Sequence, residues 1–308
     1  MKMEPEMMGN VAAVVVSMLW TACSIFFSAA GKRIGAISVN TIRISAAVGL
    51  LGTAHLIWFG ALLPAATGDQ WFYLGLSGFI GLAVGDIGYI GALVLIGPRR
   101  GVLLMSTAPI FAAVAGYAML GEQIGAWALA GIAVTMSGVM LAILDDGANG
   151  KPQELTKRQL TIGYGLAVMG SACQGVGLVI SKYGMQGIEG AEPLDPLSAA
   201  LMRMIVGAAA MWVGVLAFGR LHEIRKATKD GRGVGLTFSG AITGPFLGVW
   251  LSMVAVSLAL TGVAQTLMSL MPVMVIPVVW LLYKQGTGWR GIAGACIAIV
   301  GVAMLFIV

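Results

Sequence analysis

The sequence predicts an all-α polytopic membrane protein: ten transmembrane helices arranged as two inverted five-helix repeats. Three observations carry that expectation. The chain is 58% hydrophobic and only 10% charged, with mean hydropathy +0.93, whereas about 25% charged residues is ordinary for a globular domain. Its apolar runs reach the roughly 20 residues a helix needs to cross hydrocarbon. Second, the chain repeats itself. Shifted forward by 163 positions, residues 101–144 fall on 264–307 without a gap. Ser106 meets Ser269, Pro109 meets Pro272, and Gly125, Gly131 and Gly138 meet Gly288, Gly294 and Gly301. Gly85 meets Gly248 at the same offset. Third, each half holds five spans. An odd count turns the second copy upside down, about a pseudo-two-fold axis in the membrane plane.

The expected spans are 9–31, 36–58, 72–97, 101–120, 124–144, 160–181, 196–218, 234–258, 262–283 and 289–307. Polar or Gly/Pro-rich breaks separate them at 60–70, 145–159 and 219–233. The first repeat is 1–145, a linker loop follows at 146–159, and the second repeat is 160–308. The first run is read as a span and not as a signal peptide. Its apolar part exceeds the usual 7–15 residues, and its basic residues follow it. Arg43, early in the second span, has a counterpart in Arg203, early in the seventh.

Basic loop residues vote on orientation. Lys32, Arg33, Arg99, Arg100, Lys151, Lys157, Arg158 and the cluster from Arg220 to Arg232 all follow odd-numbered spans, as do Lys284 and Arg290. Only Lys2 and Lys182 fall on the other side. With ten spans, both termini would lie outside the cytoplasm. The net charge of +5 is thus read as topology and not as a nucleic-acid footprint.

Glycines and prolines shape the spans. Gly78, Gly81, Gly85, Gly88 and Gly91 recur every three or four residues on one face of the third span, a face that lets a neighbouring backbone come close. Gly240, Gly244 and Gly248 repeat the pattern in the eighth. Pro109, Pro245, Pro272 and Pro277 lie inside spans, where each removes a backbone hydrogen bond and predicts a kink. Pro109 and Pro272, at equivalent places, are the candidate hinges.

Ionisable residues at membrane depth are costly and therefore the first functional candidates. Three qualify: Arg43, Asp86 and Arg203. Arg43 and Asp86 differ in depth by roughly 6 Å, which predicts a pair, structural or proton-coupling. Arg203 has no acid in the corresponding place, since Val249 stands where Asp86 would. It is expected to snorkel toward Glu189, Glu192 and Asp195, or else to bind a substrate carboxylate or phosphate. Trp20, Thr21, Ser24, Tyr89, Ser106, Gln174, Trp250, Ser252, Gln265 and Ser269 sit at mid-span depth. As a group they suggest a small-molecule pocket, although any one of them is ordinary packing.

Much is excluded. Cys23, Cys173 and Cys296 lie in apolar runs without metal-binding spacing, and the two histidines are far apart; no metal site or disulfide framework is expected. No GxSxG, HExxH or phosphate-binding loop occurs. An enzyme is not expected, no cofactor is implied, and any pumping would run on a gradient.

The stretch LIGPRRGVLLMSTAPIFAAVAGYAMLGEQIGAWALAGIAVTMSGVML resembles the drug/metabolite transporter superfamily, specifically its ten-span EamA-type exporters, and the likeness covers nearly the whole chain. A mid-span Pro, a Gly-Glu closing the fourth span and spaced glycines in the fifth match Pro109, Gly121-Glu122, Gly125, Gly131 and Gly138. The early Arg of each half matches Arg43 and Arg203. In the second half Lys284-Gln285 replaces Gly-Glu. The resemblance implies an inverted-repeat bundle with a central cavity that exports amino acids, metabolites or drugs. It also implies cytoplasmic termini, opposite to the charge count. The expected activity is therefore secondary transport of a small polar metabolite, such as an amino acid or related compound, by alternating access. The expected setting is a prokaryotic plasma membrane. The bilayer and a small-molecule substrate are the expected partners, with a proton or other ion as candidate coupling partner and no nucleic acid. Homo-oligomerisation stays open. The rival functions are a lipid or lipid-linked-sugar flippase and, disfavoured, a membrane-embedded enzyme.

Overall fold

The computed structural model describes residues 4–144, 156–187, 190–274 and 288–307. Among them, nine helical stretches are long and apolar enough to cross a membrane. The tenth expected span, 262–283, is described only as far as residue 274. Most of the linker loop, Pro277 and the Lys284-Gln285 pair lie outside the described residues.

Helix α1 (Pro5–Ile34) starts with a proline in its first turn and ends at Gly35, whose φ of 80° few other residues accept. Helix α2 (Ala36–Phe59) follows at once and stops at left-handed Gly60. The third span begins earlier than expected. Thr67 and Gln70 form a capping box that starts α3 (Gly68–Gly78), satisfying two orphan N–H groups. After α3 the backbone widens into a π-helical segment, Phe79–Val84, where the Gly85 N–H donates five residues back to Ile80. Helix α4 (Gly85–Met105) continues from it. The eighth span is built the same way: α10 (Gly231–Ala241), a π-helical segment at Ile242–Gly248, then α11 (Val249–Leu258). The two π segments coincide at the repeat offset. Pro245, expected to kink the span, lies within the second of them. A segment bonded i to i+5 already omits the i to i+4 bond that proline cannot make.

The chain reverses within α4. Gly88 and Ile96 face Leu166 and Gly163 respectively, but Met105 is back at Gly170 and Ala108 at Gly175. The return leg breaks at Ser106–Thr107 before α5 (Ala108–Leu120). Pro109 therefore does not interrupt a helix. It sits in the first turn of a new one, where its missing N–H costs nothing. The second repeat does the same: α12 (Thr261–Met268) ends, Ser269–Leu270 turn, and helix resumes at Met271 with Pro272 in its first turn. The bonds agree pair by pair. The Ser106 and Ser269 hydroxyls donate to Val102 and Gln265, and Ile110 and Val273 N–H groups donate to Thr107 and Leu270.

The remaining elements are α6 (Ala126–Ile143), α7 (Lys157–Met185), α8 (Pro196–Ala217), a short connecting helix α9 (Leu221–Ala227) and α13 (Trp289–Phe306). The glycine faces pack across the halves. A Cβ on Gly85, Gly88 or Gly91 would strike α7, and one on Gly240, Gly244 or Gly248 would strike Phe27, Cys23 or Trp20 of α1. Helices α6 and α13 touch most closely: Gly138 lies on Ala298 and Gly294, Gly131 on Leu305, and Gly301 on Thr135. Those pairs run in opposite senses, so the two helices are antiparallel. The core is aliphatic, with Ile44, Leu51, Leu74, Leu201, Met253 and Leu267 almost wholly buried.

Candidate functional site

Helix α2 turns Arg43 inward two turns after its start. Its Nη2 donates to Asp86 Oδ2 at 2.9 Å, its Nε donates to Asn40 Oδ1, and the guanidinium lies over the Phe27 ring, 5.2 Å from the centroid. Asp86 follows directly on the first π segment, whose extra residue changes the face on which α4 presents it. The pair expected from a depth difference that an arginine side chain can span is thus present. Asp86, 8% exposed, also lines a cavity of about 230 Å³ with Ala36, Ile37, Asn40, Ile87 and Met211. A carboxylate that is bonded to arginine and open on one side to a cavity can exchange its partner or a proton with whatever enters.

Arg203 behaves differently. Asp195 caps α8 by accepting the Leu197 N–H, so its carboxylate is engaged at the helix end. The Arg203 guanidinium turns into the bundle, 4% exposed, with Nη1 donating to Met253 Sδ at 3.3 Å and Nε without a partner. Snorkelling toward Glu192 and Asp195 is overturned; Glu189 lies outside the described residues. The reason is the glycine face of the third span. Gly78 lets the Arg203 backbone press against α3, and Gly81 leaves the space that Nη2 points toward.

The other polar candidates are mostly committed to their own helices. The hydroxyls of Thr21, Ser24, Ser106, Ser252 and Ser269 all donate to backbone carbonyls three or four residues back. Trp20 packs on Gly248, and Trp250 stands beside Phe246 with ring centroids 6.3 Å apart. Tyr89 lies one turn beyond Asp86, and Gln174 is half-buried on α7. Gln265 is buried, its carbonyl receiving Ser269. Among the described residues the structure joins Arg43 with Asp86, with Tyr89 one turn away, while the hydroxyls above are bonded within their own helices.

One buried pair was missed by sequence reasoning. Lys182, counted above as a loop residue, lies in the last turn of α7 and donates to Glu122 Oε1 and the Ala259 carbonyl, both at 2.7 Å. Glu122 also accepts the N–H and hydroxyl of Thr261, each at 2.8 Å. Both ions are under 10% exposed. The cluster ties the end of α5 to α7 and to the start of α12, and so links the two halves. The Gly-Glu motif was the signal available, but nothing in sequence connected it to Lys182.

These features define a class: a multi-pass helical membrane protein with two similar halves and charged groups held inside the bundle. The chain belongs to the EamA-like transporter family, whose profile matches residues 7–144 and 161–307, and thereby to the drug/metabolite transporter superfamily. Its two matched segments are the two repeats. No curated protein matches significantly. A crystal structure of another protein superposes with a TM-score of 0.76 at 14% identity, covering 96% of this chain and 95% of that one. At that identity the likeness speaks for the fold alone.

Proposed function

We propose that this protein is a secondary transporter that exports a small polar metabolite, such as an amino acid or related compound, across a prokaryotic plasma membrane by alternating access. Its ten transmembrane helices form two inverted five-helix repeats that rock against each other. Family membership supports transport as such. Inversion is supported by the antiparallel crossing of the equivalent helices α6 and α13. The matching breaks before Pro109 and Pro272 supply two equivalent bending points.

The observation that carries the reading is the Arg43–Asp86 pair on a cavity wall, since ionisable groups at this depth mark substrate or ion paths. Asp86 takes up and releases the coupling proton while Arg43 holds its carboxylate in place. Asp86→Asn in proteoliposomes should therefore lose gradient-driven accumulation and keep solute exchange. Equal driven accumulation in mutant and parent would sink this role.

A second reading has one observation in its favour. An apolar groove of about 500 Å³ lies between α2 and the eighth span, lined by Gly49, Leu50, Thr53, Ile57, Phe238 and Phe246. Such a groove would suit a lipid flippase. Scrambling of labelled phospholipid by the purified protein, with no flux of any free metabolite, would favour that reading.

A further inference from the structure

Two arginines occupy equivalent places in the two repeats, and only one has a counter-ion. Arg43 has Asp86. At the repeat offset Asp86 becomes Val249, one turn before Met253, whose sulfur is the Nη1 acceptor of Arg203. The acid is missing where the repeat would place it. Lys182 is balanced by Glu122. Among the described residues at membrane depth, Arg203 is thus the excess cation, 4% exposed and with Nε unbonded. A thioether is a weak acceptor and carries no charge. Burying an ion without its counter-charge is expensive, so this position is incomplete as it stands.

We infer that Arg203 binds a singly charged oxyanion on the transported solute, which makes the cargo a net monoanion and not a zwitterion. The inference rests on the transporter reading above and narrows it: among the polar metabolites of that reading it selects acids without an ammonium group and sets the amino acids themselves aside. A planar guanidinium fork suits a carboxylate in bidentate fashion. Nη2 lies beside Gly81, where an added Cβ would stand 3.4 Å away, so that any side chain at this position would bear on the fork. One positive charge neutralises one negative charge, and a dianion would leave a surplus. A zwitterion's ammonium would need an acid of its own, and both Asp86 and Glu122 already hold cations. The same oxyanion chemistry occurs in phospholipid headgroups, and the test separates the two sources.

Thermal melts of the full-length, detergent-solubilised protein would be compared at constant ionic strength with benzoate and benzamide, hexanoate and hexanamide, and short-chain phosphatidylglycerol and phosphatidylcholine. Ligands of the folded state raise the melting temperature. The acids should raise it and their amides should not, with half-saturation at least about 10-fold weaker in Arg203→Gln. Val249→Asp restores the internal acid. It should raise the melting temperature only when Arg203 is present, and should abolish the response to acids. Equal response to acid and amide, including none to either, overturns the inference. So does loss of stability in Val249→Asp that is the same with and without Arg203. A response confined to phosphatidylglycerol assigns the oxyanion to a lipid and overturns the cargo assignment. Flux in proteoliposomes keeps the two readings apart. An acid-specific melt shift without any flux contradicts transport alone. Flux of a zwitterion with unchanged half-saturation in Arg203→Gln contradicts the monoanion alone.

Discussion

Lys182 closes a 29-residue helix with its ammonium between a carboxylate and a carbonyl, and Glu122 spends its two oxygens on three donors. Removing one member strands the other in a poorly solvated place. Lys182→Met or Glu122→Ala should each cost about 3–5 kcal/mol, read as a lower melting temperature, and the double variant should cost less than the sum. A purely additive double variant would show that the pair is not coupled. At the membrane edge, Asp230 accepts the Gly233 N–H and a two-point contact from Arg33. Together they hold its carboxyl below the ordinary carboxylate range, the backbone bond being the larger cause. A depressed folded-state pKa stabilises above the unfolded value of about 3.9 and is lost as pH falls through the folded one. Asp230→Asn should therefore narrow the stability difference between neutral pH and pH about 3, measured by melts at both. The Arg43–Asp86 pair was legible because the two depths differ by only roughly 6 Å, within reach of an arginine side chain. Arg203 was misread because its destination depends on Gly78 and Gly81 of another helix. Lys182 was misread because composition does not distinguish the last helical turn from a loop.

Among elements, the crossing of α6 on α13 is built on glycines. A Cβ on Gly138 or Gly294 would collide with backbone atoms of the partner helix, which cannot yield as a side chain end would. Gly138→Leu or Gly294→Leu should force the helices apart and cost about 1–3 kcal/mol or more. Gly165→Leu is the control, since nothing stands within 4 Å of its Cβ position. A control that loses as much stability would show that bulk alone, not the crossing, is responsible. The glycine faces were legible as packing surfaces because their spacing follows the helical period. The prolines at 109 and 272 were read as interruptions, but each starts a helix, because sequence does not show that the preceding helix has already ended. The paired π segments had no legible signature apart from Pro245: an i to i+5 register has no residue code of its own.

For the whole molecule, the repeat offset was the informative quantity. The same 163 positions relate the π segments, the breaks at Ser106 and Ser269, and the glycines of α6 and α13. Orientation remains a proposal from charge. With Lys182 buried in an ion pair, Lys2 is the one basic residue left on the side opposite the loop clusters, which sharpens the count in favour of external termini. Reporter fusions at residue 308 check it: a periplasm-active reporter should be active and a cytoplasm-active one silent, and the reverse pattern would restore cytoplasmic termini.

In the proposed mechanism two halves rock around one internal site, so that each face of the membrane gains access in turn. A carrier of that kind reorients faster when loaded. Labelled benzoate, or a related monocarboxylate found by the melts, would be loaded into proteoliposomes and its efflux timed with and without unlabelled solute outside. Saturable efflux that speeds up when solute is present on the far side is the expected result. Efflux that rises linearly with concentration and ignores the far side would contradict it.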